Sequence, residues 1–242
     1  MKAMIFAAGL GTRLRTWTDN CPKALVEVGV KPLLQHVIER LITAGFDDII
    51  VNVHHFASMI KDFLKSKDNF GIKITVSDES DKLLDTGGGI LKASSLFGDE
   101  PVLVHNVDIL SDVDLRKMYD FHCASDNDAT LLVSYRDTSR YLLFDDDSFL
   151  GGWTNIKTGE ILPPDLDVSD YDALAFGGIH VISPSLIARL SKWATEDVFS
   201  IIPFYVASCA SSKIYGYMPE EDYRWLDVGK PDSLAKAKEW FG

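Results

Sequence analysis

The chain has 242 residues, 46% of them hydrophobic, which is enough for one large α/β domain or two small ones around a sizeable core. Its formal net charge of −12 argues against nucleic acid or an anionic membrane surface as a partner, although local cations and a metal ion can still bind nucleotides. Its three cysteines lack metal-ligand spacing and indicate a reducing compartment. No apolar stretch is long enough for a signal sequence or a membrane span, so a cytoplasmic protein is expected.

Strands and helices alternate through the first half of the chain. Apolar runs with strand character cover residues 2–8, 49–53, 72–76 and 102–104. Apolar residues at helical spacing cover residues 33–42, 56–65 and 88–97. This alternation predicts an α/β fold: a single Rossmann-like, doubly wound, mostly parallel mixed sheet flanked by helices. In such a sheet, ligands bind at the carboxyl ends of the strands.

The second half of the chain is richer in strands. Strands are predicted over residues 129–135, 141–144, 149–153 and 175–182, and helices over residues 184–192, 198–207 and 231–241. Residues 154–174 contain Pro163-Pro164 and many aspartates, so a mobile loop is expected there. No repeat or linker divides the chain. We therefore expect one domain over residues 1–242, with a nucleotide-binding part at about 1–125 and an acceptor-binding part at about 126–242.

A glycine-rich turn follows the first predicted strand, and its residues suit a polyphosphate. Bare backbone N–H groups, a hydroxyl and two cations come together in Ala8, Gly9, Gly11, Thr12, Arg13 and Lys23. The alternative is plain turn chemistry, because Gly-x-Gly alone is a weak signal. Leu14 stands where a dinucleotide fingerprint needs a third glycine, and no Gly-Lys-Ser/Thr occurs. The turn therefore favours phosphate binding and argues against an NAD-dependent oxidoreductase.

Polar side chains stand at the predicted ends of three further strands. Asn52 is expected to face a base, and Asn106 to reach a ribose or a sugar. The run Asp85-Thr86-Gly87-Gly88-Gly89 precedes a predicted helix, and its glycines would let a flat base approach the backbone. The alternative for this run is a flexible turn. Asp108 follows an apolar strand, and the bland alternative for it is a solvated loop residue.

Four separate motifs together resemble the sugar-1-phosphate nucleotidyltransferases. They are Gly9-Leu10-Gly11-Thr12-Arg13-Leu14, Pro22-Lys23, Lys31-Pro32-Leu33 and Trp225-Leu226-Asp227-Val228-Gly229. In that family an NTP reacts with a sugar 1-phosphate to give an NDP-sugar and pyrophosphate. The resemblance implies a fold of the nucleotide-diphospho-sugar transferase type, Mg²⁺ as cofactor, and NTP and sugar 1-phosphate as ligands. It also implies that the chain can form a homo-oligomer.

The resemblance assigns roles to individual residues. It implies Asp108 and Asp227 as the metal ligands, Lys23 at the α-phosphate, and Arg13 at the leaving β- and γ-phosphates. Val107 stands where the family usually has glycine before the metal-binding Asp. Arg15 is left open between a phosphate contact and a surface charge.

For the acceptor, the resemblance implies Glu160 and Gly178 at the sugar. The family's usual Glu-Lys pair is absent, because Ile161 follows Glu160.

The segment Leu84-Asp85-Thr86-Gly87-Gly88-Gly89-Ile90 resembles the short N-acetylmuramate-1-phosphate uridylyltransferases. The expected reaction is therefore uridylyl transfer to N-acetylmuramate or a related hexosamine 1-phosphate. Guanylyl transfer to mannose or heptose 1-phosphate is one alternative. Another is a non-catalytic nucleotide-sugar sensor, in which Val107 and the missing Glu-Lys pair mark lost activity.

Overall fold

The computed structural model of the chain describes residues 1–14 and 17–241. The strands of this part are β1 (Lys2–Phe6), β2 (Glu27–Val28), β3 (Lys31–Pro32), β4 (Asp48–Val53), β5 (Lys73–Asp78), β6 (Val102–Asn106), β7 (Ile109–Ser111), β8 (Ala129–Ser134), β9 (Arg140–Phe144), β10 (Leu150–Asn155), β11 (Glu160–Leu162), β12 (Asp172–Ile182), β13 (Ile214–Tyr217) and β14 (Trp225–Asp227). The α-helices are α1 (Leu33–Thr43), α2 (Ala57–Ser66), α3 (Asp85–Ala93), α4 (Leu115–Ala124), α5 (Pro184–Trp193), α6 (Ile201–Ser208) and α7 (Pro231–Phe241). None of these helices combines the length and apolar character needed to cross a membrane.

The parallel half of the central sheet has the strand order β6-β1-β4-β5. Successive side chains of a strand point to opposite faces, so alternate residues of β1 pack into two separate hydrophobic cores. Ala3 and Ile5 pack in the core that includes α1, α2 and α4, and Met4 packs in the core that includes α3, α5 and α6. Both faces of β1 are therefore buried, which confirms the predicted doubly wound α/β architecture.

Strand β12 joins this half to an antiparallel half of the same ten-stranded sheet. Its Ile179–Ile182 part pairs with β6, and its Asp172–Leu174 part pairs with β9. Beyond β9 the sheet continues as the antiparallel meander β9–β10–β11. Through β12, the carboxyl end of β6 and the meander belong to one sheet.

The expected mobile loop at residues 154–174 is wrong. Strand β10 runs to Asn155, β11 pairs back onto it, a 3₁₀ helix covers Val168–Asp170, and β12 begins at Asp172. The turn between β10 and β11 closes through the backbone N–H of Gly159, which donates to the carbonyl of Asn155 at 2.8 Å. The prediction failed because the aspartates and prolines of this segment are typical of loops. The short hairpin that it forms depends on strand pairing, which the local sequence does not report.

The glycine run at the start of α3 also differs from its prediction. It lies inside the first turns of the helix, and the N–H groups of Gly87 and Gly88 donate to the carbonyl of Phe199 at 2.9 and 3.2 Å. A Cβ on Gly87 would lie 2.3 Å from the ring of Phe199, and one on Gly88 would lie 2.0 Å from the carbonyl oxygen of Asp197. The glycines therefore allow α3 to pack closely against the segment before α6.

We expect Gly88→Ala to lower the free energy of unfolding by about 1–3 kcal/mol, because the new methyl group meets backbone that cannot move cheaply. A glycine-to-alanine change inside an unconstrained helix has the opposite sign, by roughly 0.5–1 kcal/mol. Urea denaturation followed by circular dichroism measures the difference. Gly9→Ala is the stability control, since nothing lies within 4 Å of a Cβ at Gly9. A Gly88→Ala protein as stable as the parent would contradict the packing.

Candidate active site

A cavity of about 440 Å³ opens at the carboxyl ends of β1, β4 and β6. It brings together most of the residues that the sequence assigned to the nucleotide. These are Ala8, Gly9, Gly11, Thr12, Arg13, Lys23, Asn52, Asp85, Thr86 and Asn106. Asp108, which was assigned to the metal, lines the same cavity. Gly87 and Gly88, also assigned to the nucleotide, do not line this cavity, because they pack against residues 197–199. Arg15 lies outside the described residues.

Asn52 fixes the point where the glycine-rich turn leaves β1. Its Oδ1 accepts hydrogen bonds from the backbone N–H groups of Ala7 and Ala8 at 2.7 and 3.3 Å. Its Nδ2 donates to Oε1 of Glu79 at 2.8 Å, and Oε2 of Glu79 accepts from the backbone N–H of Leu84 at 3.1 Å. Both side chains are buried, so they connect the turn to the segment before α3. The sequence analysis missed Glu79, which carries no recognisable signal within its polar segment.

The turn itself closes at Gly11, which has a φ of +65°. A Cβ there would lie 2.8 Å from Cγ2 of Thr18, and Oγ1 of Thr18 donates to the carbonyl of Gly11 at 3.0 Å. Gly9, by contrast, has open space beside it. The turn is thus held by Gly11 and open to a ligand at Gly9, which suits close approach of phosphate oxygens to the backbone.

Two carboxylates far apart in sequence meet beside this turn. Strand β14 pairs antiparallel with β7 and sets Asp227 opposite Ile109, and the N–H of Val228 donates to the carbonyl of Asp108 at 2.8 Å. Asp108 forms an ion pair with the buried Nζ of Lys23. Arg13 lies on the other side, with its Nη1 3.8 Å from Oδ2 of Asp227. The two carboxylates are therefore flanked by two cations.

The surroundings of Asp227 disfavour the charged form of its carboxylate. Burial raises its pKa, and the negative charge of Asp108 raises that pKa further. Its Oδ1 is buried and, among the described residues, has no hydrogen-bond partner. A cation bound between Asp108 and Asp227 would satisfy this oxygen and relieve the repulsion.

The donor set also indicates which cation fits. Among the described residues, no group of three or more His, Cys, Asp and Glu side chains could hold a metal. Two carboxylates alone do not form a closed site, but Mg²⁺ is commonly held by one or two carboxylates together with substrate phosphates. The residues present therefore fit Mg²⁺ bound together with a phosphorylated ligand.

A second cavity, of about 650 Å³, shares Arg13, Asn106 and Asp108 with the first and is also lined by Asp227. It extends over the face of the β9–β10–β11 meander and holds both residues that the sequence assigned to the sugar, Glu160 and Gly178. Gly178 has a φ of +74°, and a Cβ there would lie 2.9 Å from Nδ2 of Asn106. This glycine therefore lets β12 pass close to the end of β6.

Two arginines of the second cavity were missed by the sequence analysis. Arg136 stacks on the ring of Trp225, with 3.8 Å between its guanidinium carbon and the ring centroid, and donates to the carbonyl of Phe176 at 2.9 Å. Nε1 of Trp225 donates to the carbonyl of Gly177 at 2.8 Å, so Trp225 supports Arg136 as well as leading to Asp227. Arg140 begins β9. Both arginines come from the region after β8, where the sequence shows no motif.

The arrangement can hold two phosphorylated ligands against one pair of carboxylates. A family model described as nucleotidyl transferase matches residues 2–143. The chain belongs to the nucleotidyl transferase family. The match covers the glycine-rich turn, Lys23 and Asp108, while Asp227 and most of the second cavity lie beyond it.

Known proteins agree with this membership. N-acetylmuramate alpha-1-phosphate uridylyltransferase of Caulobacter vibrioides is 34% identical, over 98% of this chain and 95% of its own length. Mannose-1-phosphate guanyltransferase of Hypocrea jecorina is 29% identical over 96% of this chain, which spans 61% of that longer protein. The crystal structure of HddC from Yersinia pseudotuberculosis complexed with GMP-PN shares the fold, with a TM-score of 0.77, 22% identity and coverage of 100% and 99% of the two chains. These relatives confirm the resemblance to sugar-1-phosphate nucleotidyltransferases.

For this nucleotidyltransferase, we expect Asn52→Ala to lower the free energy of unfolding by about 1–3 kcal/mol, because the N–H groups of Ala7 and Ala8 and the carboxylate of Glu79 lose buried partners. The KM for the nucleotide should rise in the same variant, since Asn52 positions the turn. Chemical denaturation and initial-rate kinetics measure the two effects. Asn20→Ala, at an exposed position, is the control. Unchanged stability in Asn52→Ala would show that these hydrogen bonds do not hold the turn.

Proposed function

We propose that this protein catalyses the Mg²⁺-dependent transfer of a uridylyl group from UTP to N-acetylmuramate 1-phosphate or a related hexosamine 1-phosphate. The products are the UDP-sugar and pyrophosphate. The observation that carries the proposal is that two cavities, one lined by the glycine-rich turn and one by the meander, meet at Asp108, with Asp227 lining the second of them. A transfer between two phosphorylated substrates needs this arrangement, because nucleophile and leaving group must lie in line on either side of the α-phosphorus.

The nucleotide cavity would bind the NTP through the open backbone at Gly9, the hydroxyl of Thr12 and the guanidinium of Arg13. Arg13 would hold the β- and γ-phosphates, which leave together as pyrophosphate. Mg²⁺ held by Asp108 and Asp227 would neutralise phosphate charge when bound. In the reaction an oxygen of the acceptor's phosphate bonds to the α-phosphorus, and the bond from that phosphorus to the bridging oxygen of the β-phosphate breaks.

Lys23 and Arg136 would act from different cavities, Lys23 from the first and Arg136 from the second. Lys23 is buried and held by Asp108, so its ammonium is positioned before the ligand arrives and can stabilise charge that develops on the α-phosphate. Arg136 is fixed by Trp225 and by the carbonyl of Phe176, and its Nε is buried without a partner among the described residues. We assign Arg136 to the phosphate of the acceptor.

The choice of uridylyl transfer rests on the relatives. The uridylyltransferase of Caulobacter vibrioides matches nearly the whole of both chains, whereas the guanyltransferase of Hypocrea jecorina is longer and less similar. Guanylyl transfer to mannose or heptose 1-phosphate is the second candidate, since the guanyltransferase still matches 96% of this chain.

The test is pyrophosphate release with Mg²⁺, crossing UTP, GTP, CTP and dTTP with N-acetylmuramate, N-acetylglucosamine, mannose, heptose and glucose 1-phosphates. We expect release with UTP and N-acetylmuramate 1-phosphate, and none when EDTA removes the metal. Release only with GTP and mannose or heptose 1-phosphate would replace the proposal with the guanylyl alternative. Tight binding of UTP by calorimetry with no release for any pair would favour a non-catalytic sensor.

We expect Asp108→Asn and Asp227→Asn each to lower kcat by at least about 100-fold, because each change removes one charge from the proposed metal site without changing side-chain size. Asp62→Asn, at an exposed position on α2, removes the same charge far from both cavities and should leave the rate unchanged. Rates are measured at saturating substrate, and folding is checked by circular dichroism. Near-normal turnover in either of the two site variants would refute the two-carboxylate site.

A further inference from the structure

The β9–β10–β11 meander forms one wall of the second cavity, which is called the acceptor cavity from here on. Strand pairing places Arg140, Asn155 and Glu160 opposite one another across β9, β10 and β11. The same pairing aligns Leu142, Trp153 and Leu162 two residues further along each strand. Residues two apart in a strand share a face, and all six line the cavity. This wall of the cavity therefore carries one polar row, Arg140, Asn155 and Glu160, and one apolar row, Leu142, Trp153 and Leu162.

Arg140 is the cation of this polar row, and its guanidinium forms no ion pair with the described residues of the protein. No carboxylate of the described residues lies within 4 Å of its guanidinium, although acidic residues outnumber basic ones by 36 to 24. An exposed arginine is commonly a solvated surface charge. Its position is unlike that of a surface charge, because Asn155 and Glu160 stand beside it in register on a cavity wall.

The phosphate of the acceptor does not account for Arg140. That phosphate must reach the carboxylate pair, where Arg136 is already held on Trp225, two residues before Asp227. Arg140 stands instead at the first position of β9, in the row with Glu160. A sugar that spans the cavity from Asp227 to Glu160 would thus carry its phosphate at one arginine and expose a different substituent to the other.

We propose that Arg140 binds a carboxylate on the sugar and so selects an acidic sugar 1-phosphate over a neutral one. This inference rests on the proposed function and identifies the substrate class of the same site. A guanidinium presents paired N–H donors that match the two oxygens of a carboxylate. In N-acetylmuramate that carboxylate belongs to the lactyl ether, whose methyl group suits the neighbouring apolar row. Asn155 and Glu160 remain for the hydroxyl and amide groups of the ring.

The test uses N-acetylmuramate 1-phosphate and N-acetylglucosamine 1-phosphate, which differ only in the lactyl ether. We expect Arg140→Gln to lower kcat/KM for the first acceptor by about 10- to 100-fold, the range of one lost charge-assisted interaction, mainly through KM. With N-acetylglucosamine 1-phosphate the change should stay within about twofold. The KM for UTP should not move, because Arg140 does not line the nucleotide cavity. Arg140→Lys should recover part of the lost kcat/KM, since it restores the charge without the paired geometry.

Lys157→Gln is the matched control. Lys157 is exposed in the turn between β10 and β11 and does not line the acceptor cavity, so this change removes one positive charge from the same region without touching the polar row. It should leave the preference between the two acceptors unchanged. A loss in Lys157→Gln equal to that in Arg140→Gln would show a general effect of charge and would overturn the assignment.

Other outcomes separate this inference from the proposed function. If the wild-type protein releases no pyrophosphate with any acceptor, the proposed function fails. If it turns over both acceptors and Arg140→Gln slows them equally, or slows neither, the proposed function stands and the carboxylate assignment is wrong. A wild-type preference for the neutral acceptor would likewise overturn the assignment. Matching unfolding curves for Arg140→Gln and the parent establish that the variant folds.

Discussion

The pairing of β14 with β7 is the constraint on which the rest of the site depends. It places Asp227, near the end of the chain, beside Asp108, which follows a central strand. Burial of Asp227 raises the pKa of its carboxyl group, and repulsion by the nearby charge of Asp108 raises that pKa further. Lys23 and Arg13 offset part of the repulsion. Oδ1 of Asp227 has no hydrogen-bond partner among the described residues, so this compensation is incomplete, and the proposed cation would complete it.

Strand β12 lies next to this pairing, since the carbonyl of its Gly177 accepts a hydrogen bond from Trp225 of β14. That strand is antiparallel to β6 on one side and reaches β9 at its other end, so the nucleotide half and the acceptor half share one sheet. Gly178 is needed where β12 passes Asn106, because a Cβ would collide with that side chain. Next to Gly178 on the same strand, the backbone carbonyl of Phe176 accepts a hydrogen bond from Arg136, and that of Gly177 accepts one from Trp225. One strand therefore positions Arg136, which we assign to the acceptor's phosphate, and part of the wall of the second cavity.

The nucleotide half could be predicted from sequence because its signals are local. Buried parallel strands read as apolar runs, and the turn after β1 carries its glycines and cations within a few residues of one another. Asp227 was found only because its motif resembles a known family. The β11 hairpin, Arg136 and Arg140 escaped prediction because their positions follow from pairings between strands that no local pattern reports. The glycines of α3 were placed in the right segment, but they serve packing against residues 197–199, which are distant in sequence.

This difference between the halves has a chemical counterpart. The nucleotide cavity is built largely from backbone and from a buried network through Asn52 and Glu79, so a change there disturbs the fold as well as the ligand. The acceptor cavity is lined by strand side chains whose register is set by backbone pairing, so a residue such as Arg140 can change without moving its neighbours. The motifs that indicate the reaction class consequently lie where a substitution would also cost stability, and the residues that we propose to choose the acceptor lie where it would cost less. The local motifs therefore carry the resemblance to the family, whereas the row of side chains that we propose to choose the acceptor follows from the strand pairing of the meander.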